Sequence, residues 1–284
     1  MRSPARPFVL LHGWACPPAY WLPVARLLKA RGHHVEVPRL LGYAARPTAP
    51  AAGSGAARPG TAGSGSAGSG TGNAVLADGP PAYPTSAAWT LDAAADAVAE
   101  RLARAGSPAL VVGHSLGGSV AATLAARRPE LVAGLGLVGM VPVAPSAAAR
   151  ARLVSLFLSP DPDLSPDQAA VDVVLRGWYG DAPLDPAFRN EAEAAFRIPG
   201  PVLRGSLVAA LDGVAPEVPG LVMAPTAVVL GAGDRTRSPE EIEAFLAAHP
   251  AWRLTSVPGA GHMVHWEAPE ACASALLALA DAAD

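Results

Sequence analysis

The sequence predicts an α/β fold: a doubly wound, mostly parallel sheet that carries a helical cap. Two observations predict it. Short continuous apolar runs at Phe8–Leu11, Ala109–Val112, Leu135–Val141 and Thr226–Leu230 alternate with segments of helical periodicity, the pattern of strands covered on both faces. Strand, helix, strand in that order demands crossover connections and therefore parallel pairing. Residues 142–223 then break the alternation, with one helical segment following another and no convincing strand between them. The division predicted is a core of residues 1–141 and 224–284, with residues 142–223 as the cap.

Composition narrows the partners. The 284 residues are 51% hydrophobic, enough to fill a sizeable core, and only 16% charged, with a net charge of −3. No basic face suits nucleic acid and no polybasic cluster suits an anionic membrane, so the expected partner is a small, largely uncharged molecule. Cys16 and Cys272 are too few for a disulfide framework or a zinc site, and neither a metal nor an organic cofactor is expected. The apolar run after the basic N-terminus is too short for a signal-peptide core, and no stretch approaches a membrane span; a cytoplasmic protein is the expectation. Oligomeric state is not legible.

Taken in order, Phe8–Leu11 is a buried strand that stops at His12-Gly13-Trp14. A Gly-containing turn directly after a strand lets a backbone N–H point into a site, and His12 reads as a brace for that loop. Tyr20 to Ala30 carries Trp21, Val24, Ala25 and Leu28 at helical spacing, stopped by Gly32. His33 to Pro38 reads as a short second strand; its adjacent histidines point to opposite faces, which argues against a shared metal. Residues 48–80 collapse into Ala, Gly, Ser, Pro and Thr, a composition that cannot offset its ordering entropy, and read as a flexible surface insertion. Thr90 to Ala105 is a helix capped by Thr90 and ended by Gly106.

The most informative stretch follows. The run Ala109–Val112 ends in Gly113-His114-Ser115-Leu116-Gly117 and passes at once into an Ala- and Leu-rich helix, the context of a nucleophile elbow. A serine on so tight a strand-to-helix turn exposes its Oγ, and Gly113 and Gly117 relieve the crowding two positions to either side. Ser115 is the predicted nucleophile. The backbone N–H groups of Trp14 and Leu116 are the predicted oxyanion donors. In the cap, Ser165-Pro166-Asp167-Gln168 reads as a capping box and Asp185-Pro186 opens another helix. Its apolar residues, including Leu153, Leu156, Phe157, Trp178, Tyr179, Phe188 and Phe196, divide between cap core and pocket wall.

The strand Thr226–Leu230 runs into Gly231-Ala232-Gly233-Asp234, placing Asp234 on the same sheet edge as Ser115 as an orienting carboxylate. Ser238-Pro239 caps a helix to about His249, and Arg253–Val257 is the last strand. His262, on the Gly-rich loop beyond it, is the predicted general base, with His265 as the rival. Glu267 to Ala283 closes the chain as a helix.

Together, His12-Gly13, Gly113-His114-Ser115-Leu116-Gly117-Gly118, Gly231-x-Gly233-Asp234 and Gly261-His262 resemble the α/β-hydrolase superfamily in its capped, esterase-like branch, and the chain order Ser, Asp, His is that family's. The resemblance implies a sheet of about six strands, since the family's first two strands have no counterpart upstream of Phe8. It implies a serine hydrolase of a small apolar ester, lactone or thioester. Carbon–carbon bond hydrolysis or acyl transfer with the same triad stays open, as does a ligand-binding member without turnover.

Overall fold

The computed structural model describes residues 6–43, 89–158, 166–179 and 184–284. The insertion expected over 48–80 lies outside the described residues. Six parallel strands form one open sheet in the order β2-β1-β3-β4-β5-β6. They are β1 (Phe8–Leu11), β2 (Val35–Glu36), β3 (Ala109–His114), β4 (Val132–Val138), β5 (Thr226–Gly231) and β6 (Arg253–Val257). Alternate residues of a strand face opposite sides, so each strand feeds two cores. Phe8, Leu10, Leu110 and Val112 pack beneath α1 (Leu22–Ala30), while Val9, Leu11 and Val111 pack on the opposite side, beneath α2 (Leu91–Ala105) and α3 (Leu116–Arg127). That double coverage is why these runs are apolar at every position.

Between β4 and β5 the chain passes through α4 (Ala147–Phe157), α5 (Gln168–Tyr179), α6 (Pro186–Ala194), α7 (Gly200–Asp212) and the single turn α8 (Val218–Leu221). After β5 come α9 (Pro239–Ala248), then, beyond β6, α10 (Val264–Glu267) and α11 (Pro269–Ala283), which joins α1 in covering the first face. The inserted helices meet the core at the carboxyl end of β1. Trp14 donates its Nε1–H to the Leu203 carbonyl at 2.8 Å, and Tyr43 and Ser206 share a hydrogen bond of 2.8 Å. Edge-to-face contacts of Trp14 with Phe157 and Phe196 complete the seam, at ring distances of 4.9 and 5.6 Å.

Several boundaries differ from those expected, each for a local reason. The fourth strand is Val132–Val138 rather than Leu135–Val141, because pairing with β3 starts at Ala109↔Val132 and the chain leaves the sheet at Gly139, whose φ is 61°. The second strand shrinks to Val35–Glu36. The first helix begins at Leu22, after a 3-10 turn over Pro18–Trp21. Helix α5 begins at Gln168, so Pro166 is not its first residue. Asp167 Oδ1 accepts from the Ala169 N–H at 3.3 Å, and Ser165 lies outside the described residues. The closing helix α11 starts at Pro269 rather than Glu267 and is preceded by the short α10, because Ala268 between them (φ −140°, ψ 63°) precedes a proline and is driven out of the helical region.

Candidate active site

The site is a product of the strand order. Chain order reverses direction between β1 and β3, and open α/β sheets bind ligands outside the carboxyl ends of the strands at such a point. In-register pairing aligns Leu11 with Gly113, and the loops that leave those two strands carry His12-Gly13-Trp14 and Ser115. Ser115 has φ 49° and ψ −116°, a conformation that costs a non-glycine residue about 1–3 kcal/mol. The turn is so tight that a Cβ on Gly113 would run into the backbone of Gly117, and one on Gly117 would lie 2.6 Å from the His12 carbonyl oxygen. These contacts press the start of α3 against the loop after β1. As the first residue of that helix, Leu116 has an N–H with no intrahelical acceptor, and the Trp14 N–H makes no hydrogen bond among the described residues.

Two carboxyl-end loops farther along the sheet bring in the remaining residues. His262 Nδ1 lies 2.8 Å from Asp234 Oδ2, and the Thr236 N–H donates to Asp234 Oδ1 at 2.8 Å. With both oxygens engaged, the carboxylate cannot rotate. Burial opposes its charge, but attraction to His262 and the two hydrogen bonds outweigh that and keep the carboxyl well below the usual range. An ionised Asp234 accepts the Nδ1 proton, which leaves Nε2 of His262 as the ring's lone-pair atom. His114, the residue before Ser115, meets the His262 carbonyl with Nε2 at 3.0 Å, so the serine turn and the histidine loop are directly joined. The Ser115 hydroxyl itself makes no hydrogen bond among the described residues.

The other histidines have different surroundings. His12 accepts the Leu40 N–H at Nε2 (3.0 Å) and donates from Nδ1 to the Gly13 carbonyl (2.9 Å); burial, with a smaller contribution from Arg39, lowers its pKa to about 4. Its two ring atoms tie the loop after β1 to the segment after β2. His265 is 1% exposed and packs between the tilted rings of Trp21 and His114; burial and then His262 lower its pKa to about 3. The carboxylate meets His262, not His265.

Three residues at the site escaped the sequence reading. Ala15 has φ 48° in the loop after Trp14, and alanine gives no hint of a left-handed backbone. Arg237 is nearly buried beside Asp234 and donates from Nε to the Val143 carbonyl at 3.1 Å, bracing the carboxylate loop against the exit from β4. Glu267 caps the histidine loop with both its oxygens, and a glutamate in a helical stretch carries no signal of such a role. Of the aromatics between β4 and β5, Phe157 and Phe196 are buried against Trp14, and Trp178 and Tyr179 pack partly buried against the same core. A cavity of about 180 Å³ lies behind the loop after β1, with Cys16, Ala195 and Ile198 among its apolar walls and Arg39 and Glu191 as its charged ones. Among the described residues, no three His, Cys, Asp or Glu side chains gather as a metal site, and no helix is long and apolar enough to cross a membrane.

Lipase LipV of Mycobacterium tuberculosis is 38% identical over 104 residues, 36% of this chain and 38% of that protein. The 2-(acetamidomethylene)succinate hydrolase of Mesorhizobium japonicum is 28% identical over 184 residues, 61% of this chain and 64% of that protein. The chain thus spans less than two thirds of the length of either curated relative. A thermophilic esterase from Thermogutta terrifontis has the same fold, with a TM-score of 0.63 at 22% identity, covering 98% of this chain and 90% of that one. The sequence profile of the alpha/beta hydrolase family matches residues 8–275, from the first strand into the last helix, and the chain belongs to that family.

Proposed function

We propose that the chain hydrolyses small, apolar carboxylic esters by covalent catalysis at Ser115. The observation that carries this reading is the 2.8 Å Asp234–His262 pair joined, through His114, to a serine held at φ 49°. His262 Nε2 removes the Ser115 proton as Oγ attacks the ester carbonyl carbon, and Asp234 stabilises the imidazolium that forms. The carbonyl electron pair moves onto oxygen, where the N–H groups of Trp14 and Leu116 receive it; losing one such donor typically costs about 3 kcal/mol of transition-state stabilisation. Collapse of the intermediate breaks the ester C–O bond, and His262 passes its proton to the departing alcohol. Water, deprotonated by His262, then releases the acid and restores Ser115.

Family membership supports hydrolysis in general, and the names of the lipase and esterase relatives support an ester as substrate. Aromatic packing of the inserted helices around Trp14 supports an apolar acyl group. A panel of p-nitrophenyl esters of increasing chain length tests the reading, run with wild type, His262→Ala and Asp234→Asn. The expected result is turnover of short and medium esters that falls by on the order of 10³-fold or more in both variants. Wild-type turnover surviving in either variant contradicts it.

A further inference from the structure

We propose that His114 and Glu267 are positioning residues that hold His262 in register with Ser115, an inference that rests on reading His262 as the general base. His262 stands between β6 and α10 on a loop that includes Gly259 (φ 77°) and Gly261, a backbone with little stiffness of its own. Two side chains supply it. Glu267, at the end of α10, accepts the Gly261 N–H at 2.7 Å through Oε2 and the Met263 N–H at 3.0 Å through Oε1. One carboxylate therefore grips the residue on either side of His262. His114 takes the third handle, the His262 carbonyl itself, at 3.0 Å.

The His114 contact is built rather than incidental. Its ring lies 4.9 Å from that of His262 and 4.3 Å from that of His265, which in turn lies 4.5 Å from Trp21. Its Nδ1 has no partner in the buried interior, and burial, followed by the neighbouring His265 and His262, keeps the ring neutral. The single ring proton therefore sits on Nε2, the atom that faces an acceptor. Space for the arrangement comes from two glycines. A Cβ on Gly139 would lie 2.7 Å from the His262 oxygen, and one on Gly13 would lie 2.7 Å from His114 Nδ1.

Because His114 is covalently next to Ser115, the bond to the His262 carbonyl sets the distance between nucleophile and base directly. Asp234 fixes the rotation of the imidazole; Glu267 and His114 fix the backbone that carries it. Neither is placed against substrate by these contacts, so their loss should appear in kcat and not in KM.

The test measures p-nitrophenyl butyrate hydrolysis and melting temperature for wild type, Glu267→Ala, His114→Leu, His114→Asn and His114→Gln. A glutamine amide nitrogen reaches the place of Nε2, whereas that of asparagine ends near Nδ1. The expected outcome is a kcat lowered about tenfold or more in Glu267→Ala, His114→Leu and His114→Asn, KM within about threefold, and recovery to within about threefold of wild type in His114→Gln. Unchanged kcat in Glu267→Ala, a loss confined to KM, or equal loss in His114→Gln and His114→Leu overturns the proposal. Glu267 is exposed, so its variant decides the matter if the buried His114 variants fail to fold. Wild type that neither hydrolyses the ester nor reacts with a fluorophosphonate overturns the hydrolase reading, and the positioning role with it. Active wild type with active variants overturns the positioning role alone.

Discussion

At Ser115 the backbone is strained in the folded chain, and the strain places Oγ beyond the end of β3. Alanine inherits the strained φ of 49°, whereas glycine does not. Ser115→Ala should therefore melt close to wild type, and Ser115→Gly should be more stable than Ser115→Ala by about 1 kcal/mol, with both inactive. Urea midpoints of the pair check this; equal midpoints would mean that the turn carries no strain. Ser115, Asp234 and His262 could be singled out in the sequence because each stands just past a strand, in a Gly-rich turn. Ala15, Arg237 and Glu267 were not. Their roles depend on which carbonyl, carboxylate or amide the fold brings near, and no periodicity records that.

Elements were legible where local chemistry and burial agree. Thr90 accepts the Ala93 N–H at 3.1 Å and Gly106 adopts φ 75°, so α2 has the expected bounds at both ends. Thr90→Ala should cost about 1 kcal/mol, since the freed amide at an exposed helix start loses its side-chain acceptor. A melting temperature within experimental scatter of wild type would contradict that value. Boundaries were misread where a neighbour rather than the local sequence decides. Val132 to Gly134 look too weak for a strand, yet Ala109 and Leu110 of β3 pair with Val132 and Gly134 and draw them into the sheet. The start of α11 is readable from Pro269, which drives the residue before it out of the helical region, so the expected start at Glu267 lies two residues early.

For the whole molecule, the buried histidines link stability to pH. His12, His114 and His265 are neutral in the fold, with pKa values lowered by burial to about 4, to well below the usual value, and to about 3 respectively. A depressed folded value means that the unfolded chain binds the extra proton. Stability is complete above the unfolded histidine pKa of about 6.5 and falls as pH drops toward the folded values, by up to about 1.4 kcal/mol per pH unit for each group. Asp234 acts in the same sense at lower pH: its contribution is present above the usual carboxylate range and is lost as pH falls through its depressed value. Urea midpoints at pH 7.5, 6 and 5 should decline steeply across the last two; a flat profile over that range would contradict neutral burial.

Under the proposed function, one activated serine, Ser115, performs the chemistry. Intact-protein mass spectrometry after fluorophosphonate treatment, with wild type and Ser115→Ala side by side, tests it most directly. A single adduct is expected on wild type and none on the variant. An adduct on both proteins, or none on folded wild type, would contradict it.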